Sequence, residues 1–556
     1  MTSAGPDVLG FARRWVDPPG GNLRSPGGSV LWAYLRPDLA IDRAVVVGPA
    51  DERTVRLLAE LSTEVVVAVG FDGSVVAAEL AARLDRTRRH LEAWTDLVGL
   101  LAAPTTFALV TLDGATRDGL SALAGALAAL VAGGGSAELR ASDRGQLDDV
   151  LRELRPAPLR LSASAGPPGA LRAPIVPAEP SPSALSSSTA LVLPPAVHTG
   201  EGTELRMDPG GGPAQAAGSS VLLRPAGPGA GSLPEWLVAC TAEAGIPLAE
   251  GPWTVRPPRG YASQKVVFTA RAEDGSDVVI KVGQERRFNP LLINEFDGLT
   301  ALQDLGSAAV AAPVPLLSTT RDGIAVVVQS RVGGVPFATL TADSQRSVRR
   351  SFVGSLVDLA VDSRAEVPGA EVATAFNLLV DRHGSVNRVD AAQLAFLRGQ
   401  VSVVGASASP FPAVFGHGDP SPYNLLVGDD GQLSLVDFER SERCGMPLWD
   451  AWYFLHACSD SPRRRIPRLL GRSTPPLARG RTAKLLPEVN RRMCDALSLD
   501  LELVIPLFYA FWVSLAVRET SRHPVGAPSS GRHARALARF VRMGPSAVSA
   551  LLTGRR

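Results

Sequence analysis

Between Phe415 and Asp450 the sequence reads FGHGDPSPYNLLVGDDGQLSLVDFERSERCGMPLWD, which concentrates hard oxygen donors at fixed spacing. Asp419 closes an HGD triplet with His417 and Gly418, Asn424 follows five residues later, and Asp437 stands at the end of LSLVD. The runs NLLV and LSLVDF flank Gly428-Asp429-Asp430-Gly431, a turn signal that predicts a β-hairpin. Such a hairpin carries Asn424 on its first strand and Asp437 at the end of its second, and brings both toward the loop bearing Asp419. This set suits phosphoryl transfer. A carboxylate and an amide carbonyl hold Mg2+ and leave room for phosphate oxygens and water, which fits Asp437 and Asn424. A second carboxylate, Asp419, stands away from the metal and orients an acceptor hydroxyl or takes its proton.

HGD-x4-N followed by DF resembles the central motif of the aminoglycoside phosphotransferase and choline kinase family, small-molecule relatives of the protein kinases. The resemblance covers about residues 230 to 525 and implies ATP and Mg2+ as cofactors, with a small-molecule acceptor. It implies catalytic Asp419 and metal ligands Asn424 and Asp437. His417 is expected to brace the catalytic loop, and Asp450, in PLWDAWYF, to support that loop from the helical lobe. Trp449 and Trp452 read as core.

Upstream, Lys281 lies in the β-branched strand VVIKVG, where a buried charge is costly unless paired. Glu295 follows fourteen residues later in the helix-like LLINEFDGLTALQDL. The two match the strand lysine and helix glutamate that position ATP phosphates in kinase-like folds. Only three of the 56 basic residues are lysines: Lys265, Lys281 and Lys484. A lysine kept where arginine is used almost everywhere fits a site that needs a compact ammonium. RGYASQKVVF occupies the place of the phosphate-covering loop, so the resemblance assigns Gly260 and Ser263 to nucleotide binding. Lys265 either assists them or is an exposed strand lysine. Gln329, after the strand IAVVV, stands at the inter-lobe hinge that receives the adenine, and Gly333-Gly334 turns the chain into the helical lobe.

These residues need elements to position them. The expected fold class is an α/β Rossmann-like N-terminal domain followed by an α+β protein-kinase-like C-terminal domain with a small β lobe and a large helical lobe. Over residues 30–155, the runs AVVVGPA, EVVVAVG and FALVTLDG alternate with helix-like segments, a pattern of parallel doubly wound sheets. That part resembles the class I methyltransferase fold, but Gly48-Pro49-Ala50-Asp51 replaces a GxGxxG after the first strand, so a degenerate, structural or docking role is expected. Residues 156–220, rich in Pro, Ala, Ser and Gly, are expected as a linker, with ALVLPP as one strand of the first domain. The kinase-like domain is placed at 221–550.

Composition excludes several classes. A formal net charge of +1 gives no field toward nucleic acid, so no nucleic-acid partner is expected. The four cysteines form no CxxC pair and read as free thiols of a reducing compartment. No signal-peptide pattern is visible, and Leu501 to Val517, with Glu502 and Pro506, reads as a buried helix. A soluble, cytoplasmic protein without a transmembrane segment is expected. The seven arginines between Pro462 and Arg481 read as a solvated insertion or as a contact for an anionic substrate. An antibiotic, a sugar, a choline-like amine or a nucleoside all suit the motif as acceptor. A nucleotide-binding pseudokinase or scaffold, or a bifunctional methyltransferase-kinase, is the alternative.

Overall fold

Runs of three consecutive buried apolar residues need a sheet covered on both faces, and β1 (Ile41–Val47) is such a strand, with Ala44, Val45 and Val46 fully buried. The computed structural model describes residues 41–47, 58, 61–69, 88–90, 106–111, 127, 130, 136–141, 159–165, 190–192, 219–225, 233–250, 253–256, 265–407, 409–459, 484–520 and 531–554. Two units divide the chain. One comprises Ser25–Arg286 with Thr319–Val328, the other Met1–Arg24 with Arg287–Ser318 and Gln329–Arg556.

In the first unit β1 pairs in parallel with β2 (Ser62–Val69), which pairs in parallel with β3 (Arg88–His90). On the other side come β4 (Thr106–Thr111) and β5 (Ser136–Ala141), also parallel. The sheet continues through β6 (Leu159–Ala165), β7 (Ala190–Val192) and β8 (Ser219–Pro225), in the order β3-β2-β1-β4-β5-β8-β6-β7. β8 runs antiparallel to both β5 and β6. The stretch 156–220, expected as a linker, therefore supplies β6 and β7 to this sheet and leads into β8. Composition hid them because LRLSASA and SSVLLRP alternate small polar with apolar residues inside a proline-rich context.

A second sheet of this unit follows α1 (Glu235–Glu243), which ends at Gly245 with φ 77°. Its strands are β9 (Thr254–Arg256), β10 (Lys265–Arg271), β11 (Asp277–Gly283), β12 (Pro315–Arg321) and β13 (Ile324–Ser330), in the order β12-β13-β11-β10-β9. Asp322 and Gly323, at φ 52° and 79°, form the tight turn between β12 and β13. The segment that follows α1 is tied to the β10–β11 hairpin by Ala249 N–H donating to the Arg271 carbonyl and Glu273 N–H to the Pro247 carbonyl, both at 2.9 Å.

The second unit is mainly helical. α2 (Asn289–Leu305) carries Pro290 in its first turn and ends at Gly306 with φ 65°. α3 (Ala342–Asp362) is capped by the Thr341 side chain and α5 (Ala391–Gly405) by that of Asp390; α4 (Gly369–Val386) lies between them. α6 (Trp449–Ser459), α7 (Leu486–Leu497), α8 (Val504–Thr520) and α9 (Arg532–Thr553) complete the bundle. Two small antiparallel sheets sit in this unit. One joins β14 (Val335–Pro336), β17 (Leu425–Val427) and β18 (Leu433–Leu435). The other joins β15 (Ala365–Val367), β16 (Phe411–Gly416) and β19 (Glu442–Gly445).

α8 is apolar on every side and lies at the centre of the core, with Pro506 through Val517 all buried. Leu501–Thr520 is long and apolar enough to cross a membrane by length and composition alone, yet here it packs inside the helical unit, as expected for a buried helix. Trp452, Tyr509, Phe511 and Trp512 pack edge to face with their neighbours, and each such burial contributes about 1.5–3 kcal/mol. The Glu519 carboxylate accepts from the Arg532 and His533 amides at 2.9 and 2.8 Å, which caps α9 and fixes it against the end of α8.

Candidate active site

β16 is buried along Phe411 to Phe415 and delivers the chain to His417, Gly418 and Asp419. β17 and β18 pair with Leu425 opposite Leu435, and the Gly428–Gly431 turn closes with Gly431 at φ 84°. The ladder continues past the named strands, because the Val436 amide donates to the Asn424 carbonyl at 2.9 Å. Asn424 and Asp437 therefore stand at the same end of the hairpin. The Asn424 side-chain amide donates to the Asp419 carbonyl at 3.0 Å, which ties the HGD loop to that end. Asp419, Asn424 and Asp437 are thus brought together as the sequence spacing predicts.

The HGD loop is held from four directions. Asp450, in the first turn of α6, accepts from the His417 amide at 2.6 Å and the Gly418 amide at 2.9 Å. Burial pushes its carboxyl up from the ordinary carboxylate range, while the two amides and Arg518 pull it back. His417 Nε2 donates to the Val436 carbonyl at 3.1 Å, and its Nδ1 accepts from the Asp419 amide at 3.2 Å. With both ring nitrogens engaged and the ring edge-on to Phe438, the imidazole braces the loop and has no lone pair left for a substrate. Arg518 Nη1 donates to the Gly418 carbonyl at 3.0 Å. Gly418 has φ 75°, and a Cβ there would collide with the Arg440 carbonyl oxygen, so only glycine fits.

What remains open is chemically specific. Asp419 Oδ1 is buried and meets no hydrogen-bond partner. Asp437 adopts φ 74°, a left-handed conformation that a non-glycine residue keeps only where its surroundings impose it. Because the Asn424 amide nitrogen is engaged, its carbonyl oxygen is the end left to bind. An amide carbonyl and a carboxylate at one hairpin end are a hard-oxygen donor set that fits magnesium. Among the described residues no cluster of three or more His, Cys, Asp or Glu offers a different kind of metal site.

Glu295 lies in α2, fully buried, and α2 is fastened to the segment that follows Asp437. The Asn294 amide donates to the Glu439 carbonyl at 3.1 Å and to the Ser441 carbonyl at 3.0 Å. Gly298, one turn on, faces the Ser441 side chain so closely that a Cβ would collide with it. Gln329, the last residue but one of β13, is buried, and Gly334, at φ 115°, lies so close to the Val427 carbonyl that a Cβ has no room. Lys281 belongs to the other unit, in β11, where it is buried, as is Lys265 in β10, opposite Gly283. The buried position of Lys265 removes the reading as an exposed strand lysine. Gly260 and Ser263 lie outside the described residues, as does the arginine-rich stretch 462–481.

Two residues beside Asp419 carry no motif in the sequence. Burial, together with the nearby Asp419 charge, raises the Tyr453 phenol well above the ordinary tyrosine range. Arg518, on α8, lies over the Tyr453 ring at 5.3 Å. Tyr453 follows Asp450 by three helical positions, so the shared face was a readable signal. Arg518 gave none, a hundred residues from Gly418. Trp452 is fully buried and donates to Asn490 Oδ1 at 2.9 Å, and Trp449 donates to the Leu507 carbonyl at 3.3 Å, as core residues do.

Residues 254–483 match the family model of the phosphotransferase enzyme family, APH. This region is a phosphotransferase-family domain. The chain order of the phosphotransferase domain is kinase-like: a five-stranded sheet, α2 between its third and fourth strands, then the helical part that bears the HGD loop. No curated protein matches the chain in sequence. Among solved structures, macrolide 2'-phosphotransferase MphH from Brachybacterium faecium is similar at 17% identity. The match covers 58% of this chain and 98% of that one, with a TM-score of 0.34. Aminoglycoside phosphotransferase APH(3'')-Id from Streptomyces rimosus shares 16% identity over 52% of this chain and 96% of that one, with a TM-score of 0.32. The amicoumacin kinase hAmiN, solved with AMP-PNP, Ca2+ and Ami, shares 13% over 51% and 86%, at a TM-score of 0.31.

Proposed function

We propose that the phosphotransferase domain transfers the terminal phosphate of ATP to a hydroxyl of a small molecule such as an aminoglycoside, a sugar or an amino alcohol. The observation that carries this reading is the convergence of Asp419, Asn424 and Asp437, with Asp419 Oδ1 buried and unpartnered. Oδ1 accepts the hydrogen bond of the acceptor hydroxyl and takes its proton as the new O–P bond forms and the bond to the ADP oxygen breaks. Asn424 and Asp437 hold Mg2+, which when bound neutralises charge on the phosphate oxygens. Lys281 and Glu295 are assigned to the ATP phosphates, and Gln329 to the hinge beside the adenine. Gly260 and Ser263 are assigned to the phosphate-covering loop. The four free cysteines support a reducing, cytoplasmic setting.

Residues 30–155 are read as a degenerate Rossmann-like domain with a structural or docking role, supported by five parallel strands in the order β3-β2-β1-β4-β5. Tight binding of S-adenosylmethionine to the full chain would overturn that assignment. The kinase reading is tested by ADP formation from Mg-ATP against a panel of hydroxylated acceptors. Asp419→Asn is expected to lower acceptor-dependent turnover by about 10²–10⁴-fold, and Asp437→Ala to abolish its magnesium dependence. Near-normal turnover in either folded variant sinks the corresponding assignment.

A further inference from the structure

Lys265 and Lys281 are two of the three lysines in the chain, and strand register puts them on one face of one hairpin. In the antiparallel β10–β11 pair Lys265 opposes Gly283 and Val267 opposes Lys281. Side chains alternate along a strand, so Lys265, Val267 and Thr269 share a face with Lys281 and Val279. The two lysines are then diagonal neighbours, about 7–8 Å apart at the backbone, a separation that long side chains span. The opposite face belongs to the core, with Val266, Phe268, Val278, Ile280 and Val282 buried. On the lysine face burial runs differently. Val267, Thr269 and Val279 are half-buried and Arg271 is exposed, whereas Lys265 and Lys281 keep 7% and 5% of their exposure. This face is closed at the end where its two lysines stand.

Like charges buried side by side repel, and such an arrangement suits an anion that carries more than one charge. We infer that Lys265 is a second phosphate-binding lysine, and that it and Lys281 together hold neighbouring phosphates of the nucleotide. The inference rests on the reading of the domain as ATP-dependent, with Lys281 assigned to the phosphates. Lys265 opens β10, directly after the segment assigned to cover the phosphates, and Lys281 stands two residues before the end of β11. A lysine suits each place, since a compact ammonium meets a phosphate oxygen as a point charge. Glu285, fully buried two residues past Gly283, is the rival partner for Lys265 within the protein.

The test measures the binding of Mg-ATP and of adenosine to the full chain by titration calorimetry, with Lys281→Met as reference for a lost phosphate contact. Lys265→Met is expected to weaken Mg-ATP at least about tenfold, the scale of one charge-assisted hydrogen bond, and to leave adenosine unchanged. Lys265→Gln, which keeps a donor without the charge, is expected to do the same and serves if Lys265→Met does not fold. Unchanged Mg-ATP affinity in the folded Lys265 variants, with Lys281→Met impaired, overturns the inference and leaves the kinase reading standing. Equal weakening of Mg-ATP and adenosine assigns Lys265 to a structural pair with Glu285 and overturns it as well. So does a lower melting temperature with Mg-ATP affinity kept, or loss of the fold in both variants. A wild-type chain that does not bind Mg-ATP overturns both.

Discussion

Gly418 shows how tightly a single position in the site is specified. Its φ of 75° costs an ordinary residue about 1–2 kcal/mol, and the Arg440 carbonyl occupies the space that a Cβ would take. Backbone, unlike the tip of a flexible side chain, cannot swing away, so Gly418→Ala must move the HGD loop. We expect phosphate release to fall at least about a hundredfold in this variant while circular dichroism stays that of the wild type. Retained turnover would mean that the loop tolerates displacement. His417 illustrates the converse. A histidine beside a catalytic aspartate invites a role as base, yet its two ring nitrogens are spent on Val436 and Asp419 backbone groups.

At the scale of elements, the β17–β18 hairpin converts a linear spacing into a site. Twelve residues separate Asn424 from Asp437, and the turn at Gly428–Gly431 folds that separation onto itself. The helices contribute a different property. His383, fully buried in α4, accepts from the Asn387 side-chain amide at 3.0 Å, and burial depresses its ring to about 4. In the unfolded chain the same ring titrates near 6.5, so the unfolded state binds the proton more strongly between those values. The stability from neutral His383 is complete above pH ~6.5 and falls as pH drops toward 4, by about 3 kcal/mol in all. Urea midpoints of wild type and His383→Leu at pH 7.5 and 4.5 check this. The wild type should lose more on acidification, and an equal loss in both would remove His383 as the cause.

For the whole molecule, β8 belongs to the first sheet, and the segment that follows α1 is bonded to the β10–β11 hairpin. A cut between Pro225 and Leu233 therefore leaves both sheets with all their strands. A fragment 232–556 is expected to fold alone and to bind Mg-ATP with an affinity within about threefold of the full chain, since every residue assigned to the nucleotide lies after the cut. Titration calorimetry on both proteins measures this. Aggregation or absent binding over several start points from 226 to 233 would show that the first sheet is needed. Preserved nucleotide binding with lost acceptor turnover would instead assign residues 30–155 to acceptor delivery.

Local spacing made the HGD loop, the hairpin and the roles suggested for Asp419, Asn424 and Asp437 readable from the sequence, because a turn between two apolar runs leaves few ways to pair them. The buried course of α8 was readable for the same reason, since a helix apolar on all sides has no face to give to water. β6 and β8 were not, because they mix small polar with apolar residues and β8 pairs with strands that lie far back along the chain. Arg518 lies further still from a sequence signal. An arginine on α8 meets the Gly418 carbonyl only after the whole helical core has packed, and no spacing rule spans a hundred residues. Sequence by itself determined which groups can do the chemistry; tertiary packing decided which side chains hold them still.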